Sequence, residues 1–163
     1  MQLEELLQEC DVISLHVPVL PDTINMIGAR QLALMKQTAL LINTSRGEVV
    51  DQEALAEALE NGQIYGAAID TLSPEPPPRG HPLLNLSTEA AARLILTPHI
   101  AGTTDEAFTR MLKWSVDNIQ RVIDGLPPNN VVNGIQKARG NITTLTQIHR
   151  VKPKRFCSRL GSA

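Results

Sequence analysis

The chain of 163 residues is long enough for one domain with a buried core, and 42% of its residues are hydrophobic, as in ordinary globular proteins. Aromatic residues make up only 2%, which argues against the base-stacking surface of a single-strand nucleic-acid binder. Residues 1–135 carry 8 Lys and Arg against 17 Asp and Glu, whereas residues 136–163 carry 7 Lys and Arg and no acid. This asymmetry marks a compositional boundary, and we expect a domain over 1–134 and a basic tail over 135–163 that is disordered or unrelated to the rest.

Other classes of protein are also disfavoured by the sequence. It contains no secretory signal and no apolar run of membrane-spanning length, so we expect a cytoplasmic protein without a membrane partner. Cys10 and Cys157 form no CxxC pair, and no metal-ligand spacing occurs, so no metal site is predicted. The basic residues of the tail are dispersed and carry no motif, which argues against a nucleic-acid partner.

Strand and helix patterns alternate along the chain. Such alternation predicts βαβ units and a parallel sheet with helices on its faces. The predicted elements are a helix at 1–9, a strand at 11–18, a helix at 29–35, a strand at 39–44, a helix between Asp51 and Gly62, a strand at 64–70, a Pro-rich loop at 73–82, a strand at 94–99 and a long helix at about 104–124.

Capping signals mark the ends of the two longest helices. Asp51 is the expected N-cap and Gly62 the expected C′ residue of the first. Thr103 and Glu106 have capping-box spacing at the start of the long helix, and Gly125 follows its end. A buried face is predicted for the long helix, made of Ala107, Met111, Leu112, Ser115, Ile119, Val122 and Ile123.

Three predicted strands are followed by Arg46, Asp70 and His99, and Glu75 lies on the loop after Asp70. Because parallel strands end at the same edge of a sheet, where α/β proteins bind ligands, these side chains predict a site. A carboxylate beside an imidazole makes a general acid and base, and a guanidinium clamps a carboxylate. Each residue also has a plainer interpretation, as a turn cap, a surface ion-pair partner or a solvated loop residue.

Several motifs occur in a fixed order along residues 1 to about 134. Together they closely resemble the NAD-binding domain of the D-isomer-specific 2-hydroxyacid dehydrogenases. The stretches that carry the resemblance are Leu15-His16-Val17-Pro18, Pro21-Asp22-Thr23, Leu41-Ile42-Asn43-Thr44-Ser45-Arg46-Gly47, Gly66-Ala67-Ala68-Ile69-Asp70, Pro74-Glu75-Pro76, His81-Pro82-Leu83-Leu84 and Thr97-Pro98-His99-Ile100-Ala101-Gly102.

The resemblance implies the second half of a Rossmann-like, doubly wound parallel α/β sheet, followed by a long C-terminal helix. It implies hydride transfer between NAD and a small 2-keto or 2-hydroxy acid, with NADP not excluded, in a family that forms homodimers. Arg46 matches the substrate-binding arginine, His99 the proton donor and Glu75 its carboxylate partner. The implied cofactor-binding residues are His16, Val17, Pro18, Thr23, Thr44, Ser45, Arg46, Asp70, His99 and Gly102.

The chain also departs from the family pattern. The sequence contains no G-x-G, so the glycine-rich pyrophosphate turn and most of the substrate domain are expected upstream of Met1. Three interpretations therefore stay open: an oxidoreductase that is incomplete as an isolated chain, a non-catalytic NAD-binding or interaction fragment, and an inactive gene remnant. The substrate is not specified by the sequence.

Overall fold

The computed structural model describes residues 2–131, so the predicted tail at 135–163 and Cys157 lie outside the described residues. Short 3-10 turns occupy Gly47–Val49 and Pro82–Leu84. The helices and strands are α1 (Leu3–Glu9), β1 (Val12–Leu15), α2 (Ala29–Leu34), β2 (Leu40–Asn43), α3 (Gln52–Glu60), β3 (Gly66–Ile69), α4 (Thr88–Ala91), β4 (Leu94–Leu96) and α5 (Asp105–Ile123).

The four strands form one parallel sheet whose spatial order, β1-β2-β3-β4, is also their order in the chain. Leu15 pairs with Asn43, Asn43 with Ile69, and Ile69 with Leu96. This register brings the carboxyl ends of all four strands to the same edge. The predicted parallel α/β sheet is confirmed, and the residues that follow each strand lie side by side.

The core is aliphatic and packs around β2 and α3. Leu41, Leu55, Leu59 and Ile64 are fully buried. Asp51 caps α3 as predicted, since its carboxylate accepts a hydrogen bond from the Ala54 N–H at 3.1 Å. Gly62 follows α3 with a φ of 62°, the left-handed conformation expected of a C′ residue.

The starts of two helices differ from the sequence analysis. The short helix α4 was not predicted, and the capping box at Thr103 and Glu106 is wrong, because α5 begins at Asp105. The Thr103 hydroxyl instead donates to the carbonyl of Ile100 at 2.7 Å. The Thr103 side chain therefore closes the turn before α5 and does not cap the helix.

The helix α5 belongs to a second compact unit, which begins at Asp105. The predicted buried face is wrong, because no residue of α5 is buried. Phe108, Met111 and Ile119 are each more than half exposed. The predicted helix is present, and its large apolar side chains are exposed. No helix in that range combines the length and hydrophobicity needed to cross a bilayer.

Candidate active site

The turn after β2 carries Arg46 and is organised by Asn43. The Asn43 Oδ1 accepts hydrogen bonds from the backbone N–H of Ser45 at 3.0 Å and from its hydroxyl at 2.7 Å. The Nδ2 of Asn43 donates to the carbonyl of Arg46 at 2.8 Å. The Arg46 side chain is exposed, and its Nη1 donates to the Ser45 carbonyl at 2.7 Å. A guanidinium held in this way keeps further N–H donors for a carboxylate ligand.

The next residue, Gly47, is in close contact with the segment that leaves β3. A Cβ at this position would lie 2.3 Å from the backbone carbon of Leu72 and 2.7 Å from the nitrogen of Ser73. Only glycine permits that approach. The Arg46 turn is consequently packed directly against the segment that leads to Glu75.

Asp70 directly follows β3 and is 4% exposed. Its carboxylate accepts hydrogen bonds from the Thr97 hydroxyl, from the Ile100 N–H at 2.9 Å and from the Ala101 N–H at 3.0 Å. Burial raises the pKa of Asp70, but these hydrogen bonds outweigh it, so the pKa lies below its ordinary value. The buried carboxylate therefore stays charged and holds the loop on which His99 lies.

His99 adopts a φ of 55°, which is uncommon for a residue with a side chain. Its backbone N–H donates to the carbonyls of Asp70 at 2.8 Å and Thr97 at 3.0 Å, which hold it in this conformation. The His99 Nδ1 lies 2.8 Å from Oε2 of Glu75. Because a carboxylate only accepts, Nδ1 carries the proton in this pair and Nε2 is left for a ligand.

Glu75 is held from two sides. Its other oxygen, Oε1, accepts from the Leu72 N–H at 2.9 Å. The hydrogen bonds from His99 and from Leu72 lower the pKa of Glu75. The carboxylate is therefore charged and oriented at neutral pH, as a partner that fixes the imidazole ring must be.

A cavity of about 390 Å³ opens beside this pair. Asp70, Glu75 and His99 line it together, as the sequence predicts, although Arg46 is not one of its lining residues. The remaining wall is mostly apolar and consists of Leu72, Pro76, Pro77, Leu84, Leu96, Thr97 and Pro98. The acid–base pair itself stays open to solvent, because the side chains of His99 and Glu75 are 47% and 38% exposed.

The predicted cofactor-binding residues follow the same sheet edge. His16, Val17 and Pro18 come directly after β1, and the His16 Nε2 lies 2.8 Å from the Ser14 hydroxyl. Thr23 bonds within its own loop, because its hydroxyl donates to the Pro18 carbonyl at 2.6 Å. Thr44 and Gly102 are exposed, whereas Ser45 is buried and its hydroxyl donates to Oδ1 of Asn43. Their role in binding stays a prediction.

Sequence reasoning missed three contributors to the site: the buried amide of Asn43, the hydroxyl of Thr97 and the close approach at Gly47. An Asn two residues before a Ser, at the end of an apolar strand, is a signal for an Asx turn and points to Asn43. Nothing in the local sequence indicates that Thr97 bonds Asp70, because the two residues meet only in the folded sheet.

Comparison with known proteins identifies the family. Residues 1–101 match the family described as D-isomer specific 2-hydroxyacid dehydrogenase, NAD binding domain. The chain belongs to this family. The match covers the whole sheet and includes Arg46, Asp70, Glu75 and His99. The expected resemblance and the Rossmann-like fold class are thereby confirmed.

Curated relatives of the chain include proteins named glycerate dehydrogenase and glyoxylate reductase. It is 46% identical over 131 residues to glycerate dehydrogenase of Methylorubrum extorquens, covering 80% of this chain and 41% of that protein. It is 45% identical over 138 residues to glyoxylate reductase of Korarchaeum cryptofilum, covering 84% and 40%. The chain thus spans about two fifths of the length of these relatives.

A solved structure gives the same result. D-lactate dehydrogenase with NAD+ from Lactobacillus jensenii superposes with a TM-score of 0.65 at 37% identity, covering 81% of this chain and 42% of that protein. The fold of the described chain is therefore that of part of an NAD-linked 2-hydroxyacid dehydrogenase.

Proposed function

We propose that this chain carries the acid–base and substrate-anchoring part of an NAD-dependent oxidoreductase that interconverts a 2-keto acid and a D-2-hydroxy acid. The observation that carries the proposal is the 2.8 Å pair between His99 and Glu75, placed at a strand end beside a cavity. Family membership and the named relatives support the same reaction class.

Three side chains have distinct tasks in this proposal. Arg46 binds the substrate carboxylate through its free N–H donors, in a bidentate pair if both oxygens are accessible. His99 gives the proton on Nε2 to the carbonyl oxygen during reduction and takes it back during oxidation. Glu75 accepts from Nδ1, fixes the ring and stabilises the charged imidazole.

The residues present fit the nicotinamide end of a dinucleotide. The exposed Thr44, the open space around Gly102 and the backbone after β1 border the same edge as His99. The Asp70 carboxylate already accepts three hydrogen bonds, so it has little capacity left for a nicotinamide amide. When bound, the reduced cofactor supplies the hydride for C2 of the keto acid. NAD is proposed, with NADP as an alternative.

The proposal is tested by following NADH absorbance with the purified chain and glyoxylate, hydroxypyruvate or pyruvate, with NADPH in parallel. We expect slow oxidation of NADH that falls about 100-fold in His99→Gln, since general acid catalysis contributes about 10²–10⁴. His81→Gln is a histidine change outside the cavity; because His81 is buried and its Nδ1 accepts from the Leu83 N–H, circular dichroism first checks that this control is folded. Equal rates for the parent chain and His99→Gln would contradict the acid–base role and favour a non-catalytic fragment.

Two further expectations belong to the whole protein. A homodimer is proposed because α5 leaves Phe108, Met111 and Ile119 exposed, a surface of the kind that subunit contacts cover. Sedimentation equilibrium measures the oligomeric state.

The cytoplasm is the proposed location, on the sequence patterns alone. Cell fractionation tests this location.

A further inference from the structure

Asn43 is a polar side chain in the core at the end of β2, and it is completely buried. A buried amide destabilises a protein unless its donors and acceptors are bonded. Here the amide reaches Ser45 N–H, the Ser45 hydroxyl and the Arg46 carbonyl, at 2.7–3.0 Å. The side chain therefore bonds only to the turn that carries Arg46.

The backbone of Asn43 joins that turn to the next strand. Its carbonyl accepts the Asp70 N–H at 2.9 Å, immediately before the carboxylate that holds the His99 loop. One residue thus connects the Arg46 turn with the strand end beside the acid–base pair. An apolar residue at this position would suit the core but would leave the Ser45 N–H and the Arg46 carbonyl without these bonds.

We infer that Asn43 is a positioning residue for Arg46: its amide fixes the peptide groups on both sides of the turn and so directs the guanidinium toward a substrate carboxylate. This rests on the proposed function for the role of Arg46 in binding. Asparagine is specifically required, because its side-chain amide offers an oxygen that accepts and a nitrogen that donates. Oδ1 accepts from Ser45, while Nδ2 donates to a carbonyl that only accepts.

The informative variant is Asn43→Asp, which keeps the size and the acceptor but sets an oxygen against the Arg46 carbonyl. The control with the same kind of bond, at an exposed position, is Asn85→Asp, because the Nδ2 of Asn85 donates to the carbonyls of Arg79 and His81, both at 2.8 Å, away from Arg46. Oxamate, the amide isostere of pyruvate, is titrated into each full chain by calorimetry, with and without NADH. We expect Asn43→Asp to weaken oxamate binding at least 10-fold and Asn85→Asp less than 2-fold.

A second measurement separates positioning from general stability. The Nε–Hε proton resonance of Arg46 is followed by NMR at a temperature where all the variants are folded, with Arg93 as the internal reference. Arg93 donates to the carbonyls of Leu59, Ile64 and Glu89 and should not respond to Asn43→Asp. We expect the Arg46 signal to shift or broaden while that of Arg93 stays in place.

An unchanged Arg46 resonance, or equal shifts at Arg46 and Arg93, overturns the inference whatever oxamate does. Failure of the parent chain to bind oxamate contradicts the carboxylate site of the proposed function instead. In that case the Arg46 resonance alone decides whether Asn43 positions the side chain. The two ideas can therefore fail separately.

Discussion

Asp70 is a single carboxylate that holds together the loop on which His99 lies. Three donors from residues 97–101 bond to it, and its pKa is lowered although burial opposes the charge. A carboxyl group with a lowered pKa in the folded state stabilises the fold above its unfolded pKa of about 3.9. That contribution is lost as the pH falls through the folded value.

Asp70→Asn should therefore lower the free energy of unfolding by about 1–3 kcal/mol at pH 7, the cost of leaving buried donors poorly bonded. The difference from the parent chain should begin to shrink below about pH 4, where the carboxyl of the unfolded chain takes up a proton, and should vanish only below the lowered pKa of the folded state. Urea unfolding at pH 7 and pH 3 measures both values. Asp22→Asn, in an exposed loop, serves as the control. A gap that stays the same at both pH values would show that the charge of Asp70 is not what stabilises the loop.

Glu75 differs from Asp70 because its side chain is 38% exposed and that of His99 is 47% exposed. Solvent screens such a pair, and exposed ion pairs contribute little to stability. The structural consequence of the pair is the orientation of the imidazole. We therefore expect changes at Glu75 to affect activity more than unfolding.

At the scale of elements, the strands and helix ends that could be predicted from the sequence are those marked by a pattern of neighbouring residues. Apolar runs predicted all four strands, and Asp51 and Gly62 marked the ends of α3. The helix α4 was missed because four residues show no periodicity. Its N-cap, Ser87, accepts locally from the Ala90 N–H, and a distant partner also holds it, since the Glu60 carboxylate accepts from the N–H and the hydroxyl of Ser87.

In the site, too, local patterns could be predicted from the sequence, whereas contacts between distant residues could not. Arg46, Asp70 and His99 could be predicted because each follows a strand, and a parallel sheet brings strand ends together. The bond between Thr97 and Asp70 joins positions 27 residues apart and could not be predicted. Nor could the packing of Gly47 on Leu72, because a glycine in a sequence does not reveal what lies against it.

That packing leads to a prediction at the scale of the loop elements. Gly47→Ala forces a Cβ to within 2.4 Å of the Leu72 carbonyl oxygen, so the two loops must separate. We expect a loss of about 1–3 kcal/mol in the free energy of unfolding, typical of overpacking. Gly80→Ala is the matched control, because nothing lies within 4 Å of its added Cβ. Equal denaturation midpoints for the two variants would contradict the close approach.

At the scale of the whole molecule, the apolar core lies in the first part of the chain. Among residues 2–131, the buried hydrophobic side chains fall between Leu7 and Ala90. The helix α5 buries none of its residues and lies in the unit that begins at Asp105. The stability of the sheet should therefore not depend on that helix.

A chain that ends at Thr104 should accordingly melt cooperatively, with a midpoint within about 4 °C of the full chain, because 1 kcal/mol shifts the midpoint of a domain this size by roughly 4–8 °C. Circular dichroism melts of both chains measure the difference.

Leu41→Ala, at a fully buried position of β2, should lower the free energy of unfolding by about 2–5 kcal/mol in the full chain and in the shorter one. Ile95→Ala is the control, because that side chain is 66% exposed. If the shorter chain loses its cooperative transition, residues beyond Thr104 contribute to the core. If it melts normally and also sediments as a monomer while the full chain is a dimer, α5 contributes to association and not to folding.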